Sequence, residues 1–94
     1  MRKINWTQKA QQDLISIGLY IKEDNPEIAG KFLSEIRKRV LMLKENPQIG
    51  RVVPELNQTE LRELIYKNYR IVYKLKNHDI DILTVFEGHK LLEL

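Results

Sequence analysis

The chain has 94 residues, of which 43% are hydrophobic and 31% charged, with a formal net charge of +3 and no cysteine. That size fits one compact domain, read as residues 1–94, with the balance of an ordinary globular chain. Disulfides and thiolate metal sites are excluded; no apolar run approaches the ~20 residues that span a bilayer and no signal-peptide pattern opens the chain, so a cytoplasmic location away from membranes is expected.

Lys3-Ile4-Asn5-Trp6 alternates as a short strand does, and Thr7 suits a helix N-cap. Ala10, Leu14, Ile17 and Ile21 recur at helical spacing and predict a helix over residues 8–23. Asn25-Pro26-Glu27 starts a second one: Asn25 caps, Pro26 fits the first turn, and Glu27 faces the positive end of the helix dipole. Ala29, Leu33, Ile36, Val40 and Leu43 continue it until Asn46-Pro47 stops it. With about two residues between them, the helices should form an antiparallel hairpin.

Residues 50–59 read as a loop, and Leu61–Tyr66 as a strand. Lys67-Asn68 is then a two-residue turn in which Asn68 can take positive φ. Tyr69–Lys76 is the clearest strand, with Tyr69, Ile71, Tyr73 and Leu75 on one face and Arg70, Val72, Lys74 and Lys76 on the other. Asn77-His78-Asp79 turns the chain, Ile80–Phe86 is apolar enough for an interior strand, and a tail follows from Glu87. The expected fold is α+β, in the order β-α-α-β-β-β. A helical hairpin covers one face of a mainly antiparallel four-stranded sheet, and the other face lies open and displays Arg70, Lys74 and Lys76.

Several pieces occur in a telling order: Trp6-Thr7, Asn46-Pro47-Gln48-Ile49-Gly50-Arg51, Arg62-Glu63-Leu64, Tyr69-Arg70-Ile71-Val72-Tyr73, and Ile82 through Lys90. Together they resemble the RelE/ParE superfamily of toxins from type II toxin-antitoxin systems, over nearly the whole chain. The resemblance implies a growth-inhibiting toxin neutralised by a cognate antitoxin, with operator DNA reached only through that antitoxin. It also implies one of two targets. ParE-like members inhibit DNA gyrase, which is the reading favoured here. RelE-like members cut messenger RNA on the ribosome, which is the alternative. A non-toxic co-repressor acting with the antitoxin is a second alternative.

Cleavage through a 2′-hydroxyl needs a base, an acid and cations around the phosphate. Were the chain RelE-like, the resemblance would give those roles to Arg62, Arg70 and His89. Arg51, Arg70, Lys74 and Lys90 are candidates for contact with the target or the antitoxin. The plainer readings are a solvated Arg70, an Arg62 paired on the surface with Glu63 or Glu55, and an exposed tail histidine at His89. His78, in a hairpin turn, is incidental. No cluster has metal-ligand spacing and no glycine-rich loop occurs, so neither metal nor cofactor is expected. Residues 1–50 carry nine Lys/Arg against six acids, and residues 51–94 carry seven against seven. The positive excess therefore lies in the helical half, which suits a protein-binding role for the hairpin.

Overall fold

A computed structural model describes residues 2–94. The elements are β1 (Lys3–Trp6), α1 (Gln8–Asp24), α2 (Pro26–Leu41) with a 3-10 turn at Met42–Lys44, β2 (Arg51–Val52), β3 (Leu61–Tyr66), β4 (Tyr69–Leu75) and β5 (Asp79–Glu87).

The caps form where the residue types place them. The Thr7 hydroxyl accepts the Ala10 N–H at 3.1 Å and donates to the Ile82 carbonyl at 2.8 Å, so it opens α1 and pins it to β5. Asn25 donates its N–H to the Ile21 carbonyl while its side chain accepts the Ile28 N–H. One residue thus ends α1 and starts α2, and the linker is a single residue, shorter than the two expected. The second helix also ends earlier than its apolar stripe. Its last turn tightens to 3-10 at Met42, which still turns Leu43 fully into the core.

The sheet runs in the order β1-β5-β4-β3-β2, with β1 parallel to β5 and every other pair antiparallel. It has five strands, not four. The extra one lies in the segment read as loop: Arg51 pairs with Glu63 and Val52 with Arg62, and Pro54, which lacks an N–H, stands just beyond. The Lys67-Asn68 turn forms, but Lys67 takes positive φ (54°) rather than Asn68. Its ammonium lies 5.6 Å from the Tyr66 ring centroid, a contact that favours that arrangement.

The helices pack on the predicted floor. Ala10, Leu14, Phe32, Ile36, Val40 and Leu43 meet Tyr69, Ile71, Tyr73, Ile80, Ile82 and Val85. Each buried Val, Leu, Ile or Phe side chain among them contributes about 1.5–3 kcal/mol. Phe32, absent from the predicted stripe, is buried against Tyr69 at 4.8 Å between ring centroids, while Leu33 packs at the margin. Along β5 the apolar residues break strict alternation for a mechanical reason. Val72 pairs with Thr84 but Tyr73 with Ile82, so Leu83 is an extra residue that shifts the parity of the strand. Ile82 and Val85 both reach the core as a result.

Beyond Trp6 the edge of β5 has no strand partner. Helix α1 closes it: the Asp13 carboxylate accepts the Val85 N–H at 3.2 Å and the Thr84 hydroxyl, and Lys9 lies 3.3 Å from that carboxylate. No described helix is long and apolar enough to cross a membrane.

Candidate functional site

The far face of the sheet was expected to be open around Arg70, and here the structure corrects the expectation. Arg70 is only 8% exposed, and Val72 beside it is fully buried. The Arg70 Nε donates to Glu63 at 2.6 Å, and its two terminal nitrogens donate to the Glu55 carboxylate at 2.7 Å each. Glu63 is itself buried and also accepts from Arg51 at 2.7 Å. The Phe86 ring, 5.0 Å from the guanidinium carbon, lies over the group. Two arginines and two glutamates therefore form an open chain of charge-assisted bonds, Arg51–Glu63–Arg70–Glu55, across β2, β3, β4 and the loop after β2.

The electrostatic consequences follow from the contacts. Hydrogen bonds from Arg70 hold the Glu55 carboxyl down at about 2, and those to Glu55 raise the Arg70 guanidinium above its ordinary value. A carboxyl whose folded value lies below its unfolded one contributes stability above the unfolded value and loses it as pH falls through the folded one. Lys76 lowers Asp81 in the same direction. Urea unfolding should therefore show stability falling from pH 4.5 towards pH 2, with Glu55→Gln flattening the decline. An unchanged slope in that variant would refute the assignment.

For Arg62, a catalytic candidate were the chain RelE-like, the plainer reading was a surface pair with Glu63 or Glu55, but those carboxylates are held by Arg70 and Arg51. Arg62 instead donates to backbone: to the Thr59 carbonyl at 3.0 Å, the Gly50 carbonyl at 3.0 Å and the Gln48 carbonyl at 3.5 Å. It stitches the two loops that flank β2. Behind them the Tyr73 hydroxyl accepts the Gly50 N–H at 3.0 Å and donates to the Pro47 carbonyl at 2.8 Å. Tyr73 is fully buried, and that burial pushes its phenol up. It acts as a fixed internal anchor.

The remaining candidates are solvent-facing. Lys74 is exposed on the open part of the far face, near the Lys76–Asp81 pair. His89 lies in the tail, 69% exposed, with Nδ1 3.5 Å from Glu87, and Lys90 lies 3.8 Å from the same carboxylate. One shallow recess of about 310 Å³ brings together Arg51, Lys67, Arg70 and His89. Arg62 and Lys74 do not line it. Lys90 shares a recess of about 610 Å³ with His89, Lys9 and Asp13, and lines another with Arg70, Glu55, Leu56 and Leu92. No group of three or more His, Asp or Glu suited to a metal ion occurs among the described residues.

Sequence reasoning missed Glu63, Glu55, Gly50 and Tyr73 as the groups that organise this region. A signal for Glu63 was present. A two-residue turn at 67–68 places residue 65 opposite residue 70, which puts Glu63 on the same face and diagonal to Arg70.

The model of a family described as ParE toxin of type II toxin-antitoxin system, parDE, matches residues 4–92. A curated relative described as "Putative toxin Y4kP", from Sinorhizobium fredii (strain NBRC 101917 / NGR234), is 35% identical over 91 residues, covering 95% of this chain and 91% of the relative. A solved structure described as the chromosomal ParDE TA system from P. aeruginosa matches with a TM-score of 0.75 at 27% identity, covering 93% of this chain and 96% of that chain.

Proposed function

The chain belongs to the ParE toxin family of type II toxin-antitoxin systems, and from that premise we propose that it arrests growth by binding DNA gyrase, with a cognate antitoxin as its neutralising partner. In this reading it does no chemistry on nucleic acid. The observation that carries it is the engagement of the basic residues an RNA-cutting site would need. Arg70 already holds two carboxylates, and Arg62 is committed to backbone carbonyls. A phosphate arriving at Arg70 would have to displace Glu55 from a bidentate pair and would leave that carboxylate beside its own negative charge. His89 lies in the tail with its side chain 69% exposed beside Glu87, so water competes for any contact it makes.

The test is gyrase-catalysed supercoiling of relaxed plasmid with excess purified chain. Supercoiling should be inhibited, and His89→Ala should inhibit equally well, since binding needs no proton donor. Unimpaired supercoiling would overturn the proposal. The RelE-like alternative draws on one specific observation, the recess that Arg51, Lys67 and His89 share with Arg70. It requires message cut on translating ribosomes by the wild type and spared by His89→Ala.

A further inference from the structure

Arg70 is held by two carboxylates in unequal ways. Glu63, on β3, has a fully buried side chain and also binds Arg51, so it cannot leave without stranding a charge. Glu55, on the loop after β2, has a side chain 45% exposed, and Arg70 is the only side chain it engages among the described residues. Its carboxylate can turn into water while Val53, which anchors the loop, stays buried. Arg70 then still keeps Glu63. Even with both carboxylates in place, only three of its five N–H groups carry a side-chain bond.

The surroundings of the guanidinium are basic. Arg70 lines two recesses, of about 310 and 460 Å³. Arg51, Lys67 and His89 line the first and Lys90 the second, and Glu55 is the only carboxylate that lines either. Lys67 joins no ion pair among the described residues, and Lys90 has only a 3.8 Å contact with Glu87. Arg51, Lys67 and Arg70 are three fixed cations against two carboxylates. With Glu55 swung out, two positive charges lack a counter-charge.

We propose that Glu55 is an internal stand-in ligand at an oxyanion site, and that a phosphate group takes its place on Arg70. The guanidinium fork offers the same two parallel N–H groups to a phosphate as to a carboxylate. The displaced Glu55 must turn away into water, which its exposure allows. Glu63 stays beneath, neutralised by Arg51 and the Arg70 Nε. Glu55 is thus an autoinhibitory contact: tethered beside the fork, it competes with any dissolved anion at a high effective concentration. The site binds and does not cut, so the proposal stands whether or not gyrase is the target.

The test is calorimetric titration of inorganic phosphate, at constant ionic strength, into the wild type, Glu55→Ala and Glu55→Gln, with circular dichroism to check that each folds. Both variants should bind phosphate about tenfold or more tightly than the wild type, the scale of one charge-assisted hydrogen bond. If Glu55→Ala does not fold, Glu55→Gln decides. Adding Lys90→Ala to Glu55→Gln should reduce the gain. Adding Lys31→Ala, at an exposed position on α2 across the sheet, should leave it unchanged. A short single-stranded oligonucleotide without terminal phosphates is the second probe. A gain for both probes assigns the site to backbone phosphodiesters, a gain for inorganic phosphate alone to a small phosphate or phosphomonoester, and either supports it. Wild-type affinity for both probes in the folded variants would overturn the proposal. Equal losses from Lys31→Ala and Lys90→Ala would also overturn it, since phosphate would then be reading overall charge rather than this site.

Discussion

Glu63→Ala is expected to lower the unfolding free energy by about 3–5 kcal/mol, the usual loss when one member of a buried ion pair is removed. The variant leaves the nearly buried Arg70 guanidinium with only Glu55, whose carboxylate is partly solvated, and frees Arg51 altogether. A domain of this size has roughly 5–15 kcal/mol in total, so much of its stability would go. The reverse truncation, Arg70→Ala, should cost a similar amount because Glu63 has no exposed surface through which water could replace the guanidinium. The double variant Glu63→Leu/Arg70→Met should recover a substantial part of that loss, since no charge is then left buried without a partner. Arg51→Ala, at a side chain 58% exposed, should cost no more than about 1 kcal/mol. Urea unfolding of the four variants checks the series. Equal effects in Arg51→Ala and Glu63→Ala would show that the network behaves as a surface feature.

The same network shows where sequence reasoning reached its limit. Both helices, their caps and the register of β3 with β4 follow from local signals: Thr7, Asn25-Pro26, the 3.6-residue stripes and the two-residue turn. Each depends on residues close in the chain, so one sequence suffices to read it. The state of Arg70 does not depend on near neighbours. A two-residue alternation put it opposite the helices, which is correct, and that face was then assumed open. What closes it is the loop from Val53 to Glu60, folded back so that Val53 is fully buried and Glu55 meets the guanidinium. The loop has no periodicity to announce such a path. The strand Arg51–Val52 escaped for the same reason: two residues are too few to alternate. Arg70, Arg62 and His89 were legible as residues that carry charge or protons. Whether each is free to use them is set by partners 3 to 15 positions away or by exposure, and only the folded chain supplies those.

Gly50→Ala is the second substitution with a large expected effect, and its cause is space rather than charge. A Cβ at that position would lie 2.6 Å from the Glu63 carbonyl oxygen and 2.6 Å from the Tyr73 hydroxyl, with a Tyr73 ring carbon at 2.8 Å. None of these can retreat cheaply. The carbonyl is part of the β2–β3 pairing, and the hydroxyl is held by Gly50 and Pro47. The strand and loop must therefore separate, at a cost of about 1–3 kcal/mol for overpacking, plus about 1–3 kcal/mol if the Gly50 N–H loses its acceptor. Tyr73→Phe isolates the second contribution. It deletes the acceptor for a buried N–H without adding volume and should cost about 1–3 kcal/mol. Combining the two tests the steric account. Removing the hydroxyl relieves one of the three close approaches and leaves the carbonyl and ring carbon in place. The double variant should then remain at least as unstable as Gly50→Ala alone. If Tyr73→Phe instead rescued Gly50→Ala to near wild-type stability, the glycine would be required only to make room for the hydroxyl. The close approach of β3 to residue 50 would then not be what demands it.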